Sequence, residues 1–199
     1  MSSDSALGGG RPADAFGEEW QLGEDGLLHR RGARVLVVAG PPGQERLLLV
    51  RGHDVDQPGR SWWFTVGGGI GEGEEPLAAA VREVAEETGL VLAPEQLVGP
   101  VFTRSAVFDF FARTCRQDEV VYLARLPQHP DDLGSVDESG WTAVERASLD
   151  EVRWWSLPEL AALEATGAEV YPAGLAALVT ELIRSGWDGA VRDLGPGLG

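Results

Sequence analysis

Residues 68–90 read GGIGEGEEPLAAAVREVAEETGL, and the fold is decided there. A glycine-rich turn runs directly into a segment of helical periodicity. Leu77, Val81, Val84 and Thr88 recur at i, i+4, i+7 and i+11, the spacing of a stripe packed on a core. Proline suits the first position of a helix, so this one opens near Glu75-Pro76. Gly89 fits the left-handed position that ends it. Glu83, Glu86 and Glu87 stand three and four residues apart and therefore share a face. Like charges so placed repel unless a cation sits among them, and carboxylate oxygens are hard ligands that suit Mg²⁺ or Mn²⁺. The expectation is a helix that docks by one face and coordinates metal by the other.

The same stretch resembles the Nudix box, G-x5-E-x7-R-E-U-x-E-E-x-G-U, where U is a bulky aliphatic residue. Gly68, Glu74, Arg82, Glu83, Val84, Glu86, Glu87, Gly89 and Leu90 fill its fixed positions with both spacers of the right length. Upstream, SWWFTV (residues 61–66) leads into Gly67 as the strand before such a box does, although Val66 stands where many members carry proline. Downstream, residues 151–157 resemble the closing strand of that fold.

The resemblance implies an α/β fold, an α/β/α sandwich around a mixed β-sheet. It implies an enzyme that cleaves the diphosphate bridge of a nucleoside diphosphate linked to another moiety, giving a nucleoside monophosphate and the phosphorylated remainder. The implied metal ligands are Glu83, Glu86 and Glu87, joined by the backbone carbonyl of Gly67. Arg82 takes an orienting role, holding a carboxylate, and Glu74 pairs with it. The box does not name the general base. Family precedent favours a carboxylate in or just after a late loop, which puts Glu145 first and Glu151 second, ahead of Glu119 and Glu138. If none of these serves, Glu86 of the box activates the water.

Two other classes are weighed against this one. A non-catalytic module of the same fold, used for ligand sensing or protein interaction, would have lost box carboxylates, and all are present. Isomerase chemistry on a prenyl diphosphate usually recruits a catalytic cysteine, and Cys115 alone gives it little support.

The rest of the chain bounds the setting. A chain of 199 residues with 43% hydrophobic residues and seven Trp is long enough for one ordinary core and one domain. A net charge of −16 argues against stable binding of nucleic acid or an anionic membrane, but not against a small nucleotide substrate neutralised by bound cations. A lone cysteine allows no intrachain disulfide. No apolar run has the length of a membrane span, and MSSDSALGGG lacks the pattern of a signal peptide, so a cytoplasmic setting is expected. A homodimer is left open.

Composition divides the chain into a flexible leader (residues 1–16), a single domain (17–190) and a loose C-terminal tail (191–199). Within the domain, residues 34–39, 47–51, 98–111 and 119–126 read as strands. Residues 127–147 form a long acidic loop, and Leu175, Leu178 and Leu182 line a terminal helix. Neighbouring strand residues face opposite ways, so only one of each pair, Trp62-Trp63 and Trp154-Trp155, points into a given layer. Arg51 leads Arg60 and Arg104 as the arginine to hold a substrate phosphate.

Overall fold

The computed structural model describes residues 16–57 and 59–198. All but the last residue of the expected leader therefore lies outside the described residues. Strand β1 (Gln21–Leu22) pairs with β2 (Leu28–Ala39), which is followed by β3 (Arg46–His53), β4 (Ser61–Gly69) and helix α1 (Pro76–Thr88). Long strands β5 (Leu97–Phe110) and β6 (Arg113–Leu126) come next. Then follow α2 (Ala143–Ser148), β7 (Leu149–Ser156), α3 (Leu157–Ala165), β8 (Glu169–Tyr171), α4 (Leu175–Ser185) and β9 (Arg192–Leu198).

The main path across the sheet runs β7-β3-β4-β2-β6-β5-β9, with β8 added to β4. It is mixed: β2 and β6 run parallel from Leu28↔Cys115 to Ala39↔Leu126, whereas β2 pairs antiparallel with β4 and β5 with β6. Apolar residues of the central strand alternate between two cores. Val35, Val37 and Ala39 pack with Ala79, Ala80 and Val84 of α1. Leu36 and Val38 face the other way, with Leu160 of α3 and Leu175, Val179 and Leu182 of α4. Helices thus cover both faces of the sheet, the three-layer α/β/α arrangement.

Helix α1 starts at Pro76 and is closed by Gly89, whose φ of 74° lets its N–H reach the Ala85 carbonyl at 2.9 Å. Trp63 is buried edge-on to Trp155, with ring centroids 5.0 Å apart. No described helix is long and apolar enough to cross a membrane.

Two segments differ from expectation. The tail is not loose over 192–198: it forms β9, running parallel to β5 from Phe102↔Arg192 to Val107↔Leu198. Glycine and proline argue against a central strand, but an edge strand tolerates both because one side needs no partner. The loop over 127–147 gains a short helix at its end, α2, opened by a capping box in which Thr142 and Glu145 bond reciprocally.

Candidate functional site

The end of β4 and the turn that leads into α1 face a cleft of about 510 Å³. Glycine lets this end of β4 pack closely against its neighbours. At Gly67 φ is +129°, and a Cβ there would stand 2.8 Å from the Arg34 Cα and overlap the Ala33 carbonyl. At Gly68 a Cβ would lie 2.5 Å from the Glu83 carboxylate. Strand and helix therefore approach closely enough for the Gly67 N–H to donate to Glu87 Oε2 at 2.7 Å.

Glu83 and Glu87 are only 6% and 3% exposed. The expected separation of a docking face from a coordinating face is thus softened, because two of the three carboxylates point inward to the cleft. Glu145, arriving from α2, brings a carboxylate oxygen to them, and ligand atoms of Glu83, Glu87 and Glu145 lie within 4.8 Å of one another. Burial pushes Glu87 up to about 8, against the opposing pull of Arg34 and the Gly67 N–H. Burial raises Glu83 as well, although Arg82 acts in the other direction. Burial disfavours the charged forms of Glu83 and Glu87, and carboxylates gathered at this spacing fit a hard divalent cation.

Arg82 fastens the rim of this group. Its Nε and one terminal nitrogen grip Glu74 at 2.9 Å each, that same nitrogen reaches the Gly69 carbonyl at 3.0 Å, and the other donates to Glu83 and Glu86 at 2.8 Å. The Glu74 bond, outweighing partial burial, raises the Arg82 pKa and lowers that of Glu74 in turn.

The opposite wall is built by strand register. Glu119 on β6 stands level with Gly32 of β2 and Arg104 of β5. It accepts from Arg34 at 3.0 Å, Gln117 at 2.6 Å and Arg104 at 3.4 Å. Burial alone would raise its pKa, yet the two arginines and these bonds outweigh it and hold the carboxyl below its usual range. Arg30 continues the row: it donates to Gln117 at 2.6 Å, lies 4.5 Å from the centre of the Trp20 ring, and is lowered to about 10 by burial. Trp20 in turn stacks on Phe110.

The expected metal group was Glu83, Glu86, Glu87 and the Gly67 carbonyl. Glu86 lines the cleft and is held by Arg82, but it is not in the trio of Glu83, Glu87 and Glu145; the Gly67 carbonyl accepts from Arg34. Of the base candidates, Glu145 joins the carboxylates and Glu119 lies among the arginines. Glu138 and Glu151 are not among the residues that line the cleft. Glu151 on β7 sits opposite Arg51 on β3, and Arg51 also lies outside the lining, 3.3 Å from Ser61 and 3.7 Å from Asp150. Arg104 and Arg60 do line it, Arg60 in a two-pronged bond to Glu169.

Arg30, Arg34, Gln117, Trp20 and Trp141 were not singled out from sequence. A signal was present for some of them. Arg34 is in phase with Leu36 and Val38, Gln117 with Val121 and Leu123, and Arg104 with Phe102, so polar residues prolong a buried stripe on three adjacent strands.

A family model described as NUDIX domain matches residues 28–174. An RNA pyrophosphohydrolase of Brucella anthropi is 42% identical over 59 residues, which is 30% of this chain and 33% of that protein. The chain thus spans about a third of the length of that relative. Among solved structures, a C. elegans Ap4A hydrolase binary complex aligns with a TM-score of 0.50 and 16% identity, over 78% of this chain and 98% of that one. The NUDIX domain of Shewanella oneidensis NrtR, complexed with ADP ribose, aligns with a TM-score of 0.51 and 17% identity, over 79% and 87%. At such identities the likeness is one of fold.

Proposed function

We propose that this chain, which belongs to the NUDIX family by the match over residues 28–174, hydrolyses the diphosphate bridge of a nucleoside diphosphate linked to another moiety. The observation that carries the reading is the meeting of Glu83 and Glu87 of α1 with Glu145 of the distant α2, in a cleft also lined by Arg30, Arg34 and Arg104. Glu83 and Glu87 would hold Mg²⁺ or Mn²⁺, with Glu145 as the third carboxylate. When bound, such a cation polarises phosphoryl oxygens and lowers the pKa of water.

The chain's own residues do the rest. Three guanidiniums, those of Arg30, Arg34 and Arg104, gather on one wall of the cleft around buried Glu119, and they receive the anionic phosphates. Arg82 keeps Glu83 and Glu86 in place. Glu145 accepts a proton from the attacking water as its oxygen bonds to phosphorus, and the bridging oxygen leaves with the second phosphate. The names of the relatives, which include Ap4A and ADP ribose, support a nucleotide-derived substrate.

The test is turnover on a panel of such nucleotides with Mg²⁺ or Mn²⁺, then with chelator. Chelation should abolish turnover and either metal restore it. Glu145→Gln should lower turnover by roughly 10²- to 10⁴-fold, the share of a general base. Full activity of that variant, or full activity in excess chelator, would remove the reading.

A further inference from the structure

The last carbonyls of a helix have no partner inside it. In α1 two of them are met by the loop that ends in Glu145. The indole N–H of Trp141, 54 positions beyond Glu87 in the chain, donates to the Glu87 carbonyl at 3.0 Å. The Asp137 N–H donates to the Thr88 carbonyl, also at 3.0 Å. Between these two bonds Gly140 lies against the helix so tightly that a Cβ would stand 3.0 Å from the Glu86 Cα and overlap its carbonyl oxygen. Arg146 secures the loop from behind, donating to the carbonyls of Trp141 at 3.0 Å and Ser139 at 2.9 Å. The residue after Trp141 completes the connection: the Thr142 N–H donates to Glu145 Oε2 at 2.6 Å.

Two of these bonds and one close approach make a circuit. It leaves the backbone of Glu87, passes through Trp141 and Thr142 to the Glu145 carboxylate, and returns to the Glu87 carboxylate within the cluster. We propose that Trp141 is a positioning residue for the cluster: its indole N–H on the Glu87 carbonyl sets where Glu145 meets Glu83 and Glu87. The proposal rests on the reading of those carboxylates as a cation site. Trp141 itself is not among the residues that line the cleft and acts through Glu145. Its ring is buried, so a purely packing role would depend on the ring's bulk and not on its N–H.

The experiment is Mn²⁺ binding followed by the electron spin resonance signal of free Mn²⁺, with thermal unfolding in chelator measured on the same samples. It compares the intact chain with Trp141→Phe, Glu145→Gln, the double variant and Glu87→Gln. Trp141→Phe should weaken Mn²⁺ binding roughly five- to tenfold, the equilibrium equivalent of one net hydrogen bond. In the Glu145→Gln background it should add almost nothing, since its effect runs through that carboxylate. Trp141→Phe that binds Mn²⁺ like the intact chain, or an effect that adds in full to that of Glu145→Gln, overturns the proposal and leaves the cation site standing. Failure of the intact chain to bind Mn²⁺, or unchanged binding by Glu87→Gln, overturns the cation site and the proposal with it. If Trp141→Phe does not fold, Arg146→Met carries the same comparison, because it cuts the two bonds that hold the loop from behind.

Discussion

Glu87→Gln should make the metal-free protein more stable while destroying its activity. The Glu87 carboxyl is held at about 8 against an ordinary 4.5, chiefly by burial. A carboxyl raised in the folded state contributes most to stability below its unfolded value and loses that contribution as pH rises to the folded one. At neutral pH, about 2.5 units above the unfolded value, the burden is about 3 kcal/mol, a ceiling that water penetration and relaxation will lower. Glutamine has the same shape, carries no charge and still offers an oxygen to the Gly67 N–H. Urea unfolding in chelator, at about pH 5 and about pH 7.5, measures the difference. The variant should exceed the unaltered chain by about 1–3 kcal/mol at the higher pH, and the gap should narrow toward the lower. Added Mn²⁺ should stabilise the unaltered chain more than the variant. A gap that is absent, reversed or independent of pH would show that burial of this carboxylate is not what limits the metal-free fold.

Gly67→Ala should cost on the order of 2–4 kcal/mol in urea unfolding, because the added methyl meets the Ala33 carbonyl at a left-handed φ; native stability would refute the close approach of β2 to the turn. Arg104→Ala should raise KM several-fold by thinning the arginine wall. Arg51→Ala, beside Asp150 and outside the cleft lining, should leave KM within about twofold, as surface changes usually do. The reverse order in Michaelis plots would return the phosphate to Arg51.

What could be read from the sequence was local. The stripe from Leu77 to Thr88, Pro76 at the start and Gly89 at the end lie within a single helix, and each follows from spacing along the chain. Glu145 was visible only as one carboxylate among four, because its approach to Glu83 and Glu87 depends on how a loop folds back across more than fifty residues. The arginine wall was harder still. Arg34, Glu119 and Arg104 come together only when β2, β6 and β5 pair in one particular register, and a slip of one residue in any of these strands would turn its residue to the other face. Strand β9 is hidden for a simpler reason: its sequence, RDLGPGL, has none of the β-branched and aromatic residues that announce a strand and carries the glycine and proline that argue against one.

The bonds of Arg82 bear on what evolution or an engineer can place at that position. A guanidinium has five N–H donors in a rigid plane, and here they meet five oxygens, two of Glu74 and one each of Glu83, Glu86 and Gly69. Lysine has the charge but only three donors, none in a fixed fork, so it would strand at least two of those oxygens and lose the two-pronged grip on Glu74. Position 82 thus specifies a shape as well as a charge. A library that allows any basic residue there would be expected to return arginine alone among its active members.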